Sequence, residues 1–239
     1  MIQTGFERFI DFQALIINQL AFTSPDIPGL TTLRLGNLCP VNHLGFQRNL
    51  VEFTNTGIRS LSITIMSNKL TTGIRVYTCR YLIPVISMPY SGLTKLHLGG
   101  ARGHCSVSDS MTLKERHCPH LQVLSLENIV FDFPSSPHSL YSFIIRHKST
   151  LKNLRIHSCL LTTSVNCYAK LKYWSDIWNG FATELSALVD VDVVSPSSSE
   201  SYHSIFEDGR VEPLFFAPSR VVEDDACLEK FKSVVYSRL

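Results

Sequence analysis

Histidine and cysteine crowd two short stretches of the sequence, and these are the side chains that bind zinc or serve as nucleophile and base. The first stretch holds His104, Cys105, His117, Cys118 and His120. Zinc takes four such ligands in a tetrahedral shell, and finger-type sites space them so that one turn presents two together. Here the pairs are adjacent or one residue apart and C-x-x-C is missing, so the stretch reads as histidines beside a helix end rather than a metal site. The second stretch places Cys159 near His147 and His157. A catalytic thiol needs a base within hydrogen-bond reach and a third group to orient it, an arrangement in space that spacing does not supply. Gly99, Gly100 and Gly103 in "LGGARGH" lack the Gly-Lys-Ser/Thr ending of a phosphate loop and read as a turn leaving a strand. A Gly-x-Ser-x-Gly elbow is also missing.

The elements that would position these groups are written more plainly. One apolar signature recurs six times: "LTTLRL" from Leu30, "IRSLSI" from Ile58, "LTKLHL" from Leu93, "LQVLSL" from Leu121, "LKNLRI" from Leu151 and "LVDVDV" from Leu188. The pattern L-x-x-L-x-L is the strand segment of a leucine-rich repeat. Intervals between first positions are 28, 35, 28, 30 and 37 residues, at or beyond the upper end of the usual period of roughly 20–29. The expectation is an α/β fold: an irregular leucine-rich repeat solenoid resembling a right-handed horseshoe, with parallel strands on the concave face and helices on the convex face.

Strand side chains alternate, so positions one, four and six of each signature point inward. This makes Leu30, Leu33, Leu35, Ile58, Leu61, Ile63, Leu93, Leu96, Leu98, Leu121, Leu124, Leu126, Leu151, Leu154, Ile156, Leu188, Val191 and Val193 the expected core. Each fully buried aliphatic side chain contributes about 1.5–3 kcal/mol. Cys159 follows Ile156 at the place where such repeats put Asn or Cys to satisfy backbone groups, so a structural thiol is expected there.

Positions three and five point outward and define the expected partner-binding surface. Its residues are Arg34, Lys95, His97, Ser125, Asn153, Arg155, Asp190 and Asp192, with Thr32, Ser60, Ser62 and Val123 between them. Lys95, His97 and Arg155 should make the face basic, and the two aspartates should make its C-terminal end acidic. The alternative is a set of ordinary solvated strand residues.

Between signatures, apolar spacing of three and four predicts helices. "LYSFIIRHKS" puts Leu140, Phe143, Ile144 and His147 on one face, and "LKYWSDIWNGFATEL" does the same for Leu171, Trp174, Trp178, Phe181 and Leu185. Weaker helical patterns are "FERFIDFQALIINQL", "CRYLIPVIS" and "MTLKERH". Residues 1–29 form an expected N-terminal helical cap or remnant, 30–194 the array of about six units, and 195–239 a flexible loop and C-terminal helical cap. In that last part "SPSSSESY" has lost apolar periodicity, "FEDGRVEPLFFAPSR" is loop-like, and "EDDACLEKFKSVVYSRL" predicts a helix with acids in its first turn.

Composition narrows the class. Apolar residues are 44% and charged residues 18%, enough for a continuous core. Lys plus Arg number 22 against 20 Asp plus Glu, so no whole-chain field favours nucleic acid or anionic membrane, and neither partner is expected. Seven scattered cysteines argue for a reducing compartment. Glu7, Arg8 and Asp11 interrupt what would be a signal peptide's apolar region, and no run reaches the roughly 18 apolar residues of a membrane span. A cytoplasmic or nuclear protein without cofactor or metal is expected.

Over Leu30 to Val194 the chain resembles the degenerate leucine-rich repeat region of fungal F-box proteins. The resemblance rests on "LYSFIIRHKSTLKNLRIHSCLL" from Leu140 and "YWSDIWNGFATELSALVDVDVV" from Tyr173. It implies a non-enzymatic module whose repeats hold a protein substrate for a cullin-based ubiquitin ligase. Members of that family dock on the ligase adaptor through an F-box opening with Leu-Pro-acidic residues. That opening is not found in "FERFIDFQALIINQLAF", so adaptor docking is expected only of a longer product. Two alternatives stay open: a repeat scaffold or adaptor with no ligase link, and a Cys/His-dependent enzyme.

Overall fold

Alternation within the six signatures produces six strands that pair in the order in which the chain makes them. The computed structural model describes residues 12–13, 15–16, 19, 29–38, 57–65, 77–78, 92–100, 105–106, 118–131, 139–163, 173–195, 202–205, 211–213 and 218–239. Strands β1 (Thr32–Leu38), β2 (Ser60–Ile65), β4 (Lys95–Gly100), β6 (Val123–Glu127), β8 (Asn153–His157) and β10 (Asp190–Val194) form one parallel sheet in the order β1-β2-β4-β6-β8-β10. The chain is thus mixed α/β with a six-stranded parallel sheet and helices.

Like positions of successive signatures are direct partners. Leu33, Leu61, Leu96, Leu124, Leu154 and Val191 make one ladder, and Leu35, Ile63, Leu98, Leu126, Ile156 and Val193 make the next. Every expected core residue is buried except Leu30 and Val193, which are partly buried against the same cluster. A slip of one residue would turn a strand's whole apolar set to solvent, and this fixes the register.

A second six-stranded sheet was not expected from the sequence. It contains β3 (Tyr77–Thr78), β5 (Cys105–Ser106), β7 (Ile129–Phe131), β9 (Leu160–Thr163), β11 (Tyr202–Ile205) and β12 (Val211–Pro213), in the order β12-β11-β9-β7-β5-β3. All its pairs are parallel except β11 with β12. Between β6 and β7 the chain turns through Asn128 at φ 53°, and between β8 and β9 through Ser158 at φ 49°. Asn37 at φ 55° holds the same eighth place in the first signature. Short polar side chains tolerate the left-handed region where branched ones do not. The Asn128 N–H donates to His157 O at 2.9 Å and its amide Nδ2 to Gly100 O at 3.0 Å, which ties this corner to the strands on both sides. Gly99 and Gly100, read as a turn, are instead the last residues of β4.

Helix α1 (Leu140–Arg146) starts at Ser139, whose Oγ accepts from the Ser142 N–H at 3.1 Å, a common N-cap arrangement. Its buried residues are Leu140, Phe143 and Ile144, and His147 just beyond is buried too. Helix α2 (Trp174–Glu184) buries Trp174, Trp178 and Phe181, with Leu185 following, as the spacing predicts; Leu171 lies outside the described residues. The weaker N-terminal pattern and the "CRYLIPVIS" and "MTLKERH" patterns fall wholly or mostly outside them as well.

The region after residue 195 differs most from expectation. Two strands, β11 and β12, stand where loop was predicted, with Tyr202 and His203 buried. Helix α3 (Pro218–Tyr236) begins at a proline, which suits the first helical turn because its missing N–H has no partner to lose. That start moves Glu223, Asp224 and Asp225 out of the first turn. α3 runs beside α2 in the same direction, stacking Phe231 on Trp178 at 6.0 Å and burying Leu228 and Val235. Among the described residues no helix is long and apolar enough to cross a membrane.

Candidate functional site

Register fixes where the outward side chains go. Arg34, Ser62, His97, Ser125, Arg155 and Asp192 are successive partners across the sheet and form one row. Thr32, Ser60, Lys95, Val123, Asn153 and Asp190 form the neighbouring row. All eight residues expected at a partner surface therefore share one face. With strands about 4.8 Å apart, each row extends about 24 Å.

A third row escaped the sequence reading. Thr64, Gly99, Glu127, His157 and Val194 are partners at position seven, outward by the same alternation. The signal was present, since period two carries on past the L-x-x-L-x-L core. Glu127 and Val194 are exposed and His157 is half-buried. Gly99 keeps its place in this row open. A Cβ there would lie 2.9 Å from Thr64 Cγ2 and 3.2 Å from His97 Nε2.

The electrostatics differ from a uniformly basic strip. His97 Nδ1 lies 3.0 Å from Ser125 Oγ. Partial burial holds its pKa below the ordinary histidine value, and nearby Arg34 acts in the same direction while Glu127 opposes. His97 is consequently neutral at pH 7. At the far end, Asp192 Oδ2 accepts from His157 Nε2 at 2.9 Å and lies 3.6 Å from Arg155 Nε. The Asn153 Nδ2 donates to Asp190 Oδ2 at 3.0 Å. Arg155 and the two aspartates thus engage one another or their neighbours. Arg34 and Lys95 are exposed and have no ion-pair partner among the described residues.

The histidine and cysteine groups go elsewhere. The Cys118 backbone N–H donates to His147 Nε2 at 3.0 Å, and His147 Nδ1 donates to Phe143 O at 2.8 Å. A carbonyl only accepts and an amide N–H only donates, so this network assigns the proton to Nδ1. His147 fastens the end of α1 to the turn before β6. Burial pushes the Cys118 thiol up to about 11. The Cys159 thiol is enclosed, 3.4 Å from His157 O and 3.6 Å from Leu126 O, and burial pushes it up to about 12. Cys159 and His157 do not form a nucleophile and base: the imidazole engages Asp192 on the outer face while the thiol is buried. His104 and His117 lie outside the described residues, and His120 is exposed. Among the described residues no three His, Cys, Asp or Glu side chains gather where they could share a metal ion.

Against this geometry, comparison with known proteins adds no relative: no family model, curated protein or solved structure matches the chain.

Proposed function

We propose that the chain is a leucine-rich repeat solenoid that binds a protein partner through the polar face of its six-stranded sheet and catalyses no reaction. Its parent class is the F-box type, in which such an array selects substrates for a cullin-based ubiquitin ligase. The observation that carries this reading is the register: six copies of one signature pair position by position, so that core residues stack on core and variable residues on variable. Stacked repeats are built this way, and their extended faces commonly bind macromolecules. The left-handed corner at position eight and the enclosed thiol at position nine support the same reading. The unusually uneven intervals favour a degenerate array over a regular one.

The test is affinity purification of the tagged chain from its own cells, followed by capture with a variant in which Lys95, His97 and Arg155 are all replaced by Gln. The variant should keep the native circular dichroism spectrum and melting behaviour and lose about tenfold or more in capture. Equal capture would show that another face binds. For the ligase connection, the full gene product should carry a Leu-Pro-acidic helical motif and retain the cullin adaptor. A product with neither leaves an adaptor or scaffold.

A further inference from the structure

We propose that the β1–β4 half of the sheet face binds an extended acidic segment of the partner protein, with carboxylates on Arg34 and Lys95 and the hydroxyls between them as further donors. This rests on the polar face being the binding surface, and it adds the chemistry of the partner. The face is divided. At β8 and β10, Arg155, His157 and Asn153 already engage Asp190 and Asp192. A charged partner of either sign must break those contacts before it gains its own.

The β1–β4 half offers the opposite condition. Arg34 and Lys95 are exposed without an ion-pair partner among the described residues, and Arg59 is exposed at the entrance to β2. Around them stand Thr32, Ser60, Ser62 and Thr64, whose hydroxyls can donate to a carboxylate. Among the described residues, the acid nearest in register to this half is Glu127, one strand beyond β4. A basic segment would meet uncompensated like charge here; an acidic one supplies what the surface lacks.

Spacing sets the form of the segment. Arg34 and Lys95 lie two strands and two residues apart, about 12 Å between Cα atoms. In an extended chain, side chains four residues apart stand on one side about 13 Å from each other. The matching pattern is therefore Asp/Glu-x-x-x-Asp/Glu in extended conformation. A nucleic acid is the other polyanion to weigh. Single-stranded binders combine many phosphate contacts with aromatic platforms, and the three rows of this face contain no Phe, Tyr or Trp.

The experiment uses the full chain and a fluorescent peptide of about a dozen residues carrying acids at the four-residue spacing in a Gly/Ser background. Anisotropy should show binding that weakens between about 50 mM and about 300 mM salt, and none for the same peptide with Lys in place of the acids. Arg34→Gln with Lys95→Gln should weaken binding by about tenfold, while Lys230→Gln with Lys232→Gln on α3 should change it less than about twofold. Equal loss in both variants would mean that net charge alone is felt, and the inference falls. An oligonucleotide of equal charge that binds more tightly and is lost with the same Arg34/Lys95 variant assigns the site to nucleic acid instead, which also overturns it. No peptide binding by about 1 mM overturns it too. Capture of the natural partner then separates the two readings. If the Arg34/Lys95 variant loses it, the face still binds and only the acidic class is wrong. If capture is retained, the β1–β4 half does not bind and the inference falls; the Lys95/His97/Arg155 variant then decides whether the rest of the face binds.

Discussion

Cys159 occupies the ninth place of its signature, where the chain leaves β8 for β9 and two carbonyls, Leu126 O and His157 O, lie within reach of its sulfur. A thiol held in this way is a packing residue with a weak donor, and burial raises its pKa to about 12, as it raises that of Cys118 to about 11. Thiolate is the reactive form, so both residues should resist iodoacetamide at neutral pH in the folded chain and react when urea is added. Mass-spectrometric mapping of the two peptides checks this. Rapid native alkylation of either one would contradict the burial. The same shifts bear on stability. Above the ordinary thiol value of 9.0 the unfolded chain gives up protons that the folded chain retains. The stabilising contribution is whole below pH 9, diminishes as pH rises, and is lost through about 11 and 12. Urea midpoints should therefore fall on the alkaline side, and less steeply in a Cys118→Ala/Cys159→Ala variant compared with its own value at pH 7. The structural role of Cys159 was legible because it depends on a place within one signature. The neutral His97 and the Arg155–Asp192 pair were not, because they arise between residues of different strands that only the register brings together.

Helix α2 shows how far local pattern reaches. Its apolar face was legible from the spacing of Trp174, Trp178 and Phe181, since residues three and four apart share a side. Its beginning was not. The Tyr173 N–H donates to Asp176 Oδ2 at 3.0 Å, a local bond, but the Trp174 N–H donates to the Tyr202 hydroxyl at 2.9 Å and the Ser175 N–H to Asp224 Oδ1 at 2.8 Å. The Tyr202 hydroxyl in turn donates to the Asp224 carboxylate. The first-turn amides of α2 are thus satisfied by β11 and α3, distant in sequence. A carboxylate is well placed there because the helix dipole favours negative charge at an N-terminus. Arg220 completes the group, its guanidinium 3.5 Å over the Tyr173 ring and 3.8 Å from Asp224. Replacing Asp224 by Ala should cost about 1–3 kcal/mol, because it leaves buried donors unpaired. Urea denaturation measures the loss, and amide exchange should accelerate first at Ser175. An unchanged midpoint would show that water replaces the carboxylate without penalty. The strands of the second sheet were missed for a related reason. β3 and β5 have two residues each and β7 has three, too few for a period of two to register.

On the scale of the molecule, the six-stranded parallel sheet is closed off at its β10 edge by a helix. The β10 side carries α3, which holds α2 at both ends: Asp224 at its start, and Arg238 at its finish with hydrogen bonds to Ala182 O at 3.1 Å and Leu188 O at 3.3 Å. The Tyr236 hydroxyl reaches Val191 O of β10 at 2.9 Å. Leu228, Phe231 and Val235 are buried in this contact, and at about 1.5–3 kcal/mol each they contribute gross stabilisation of about 5–9 kcal/mol. That is comparable with the whole net stability of an ordinary domain, about 5–15 kcal/mol. Removing residues 218–239 should therefore expose the Trp178 and Phe181 faces, raise binding of an apolar dye and lower the melting temperature. A stack of repeats and a single cooperative domain answer this truncation differently in detail. In a stack of repeats each unit contacts only its neighbours, so damage at one end is felt most by the adjoining units. A single cooperative domain loses protection everywhere at once. On the repeat reading, hydrogen exchange in the truncated chain should accelerate strongly in β10 and β8, less in β6, and least in β4 and β2. Uniform acceleration across all five strands would count against the solenoid, whatever the fate of the binding face.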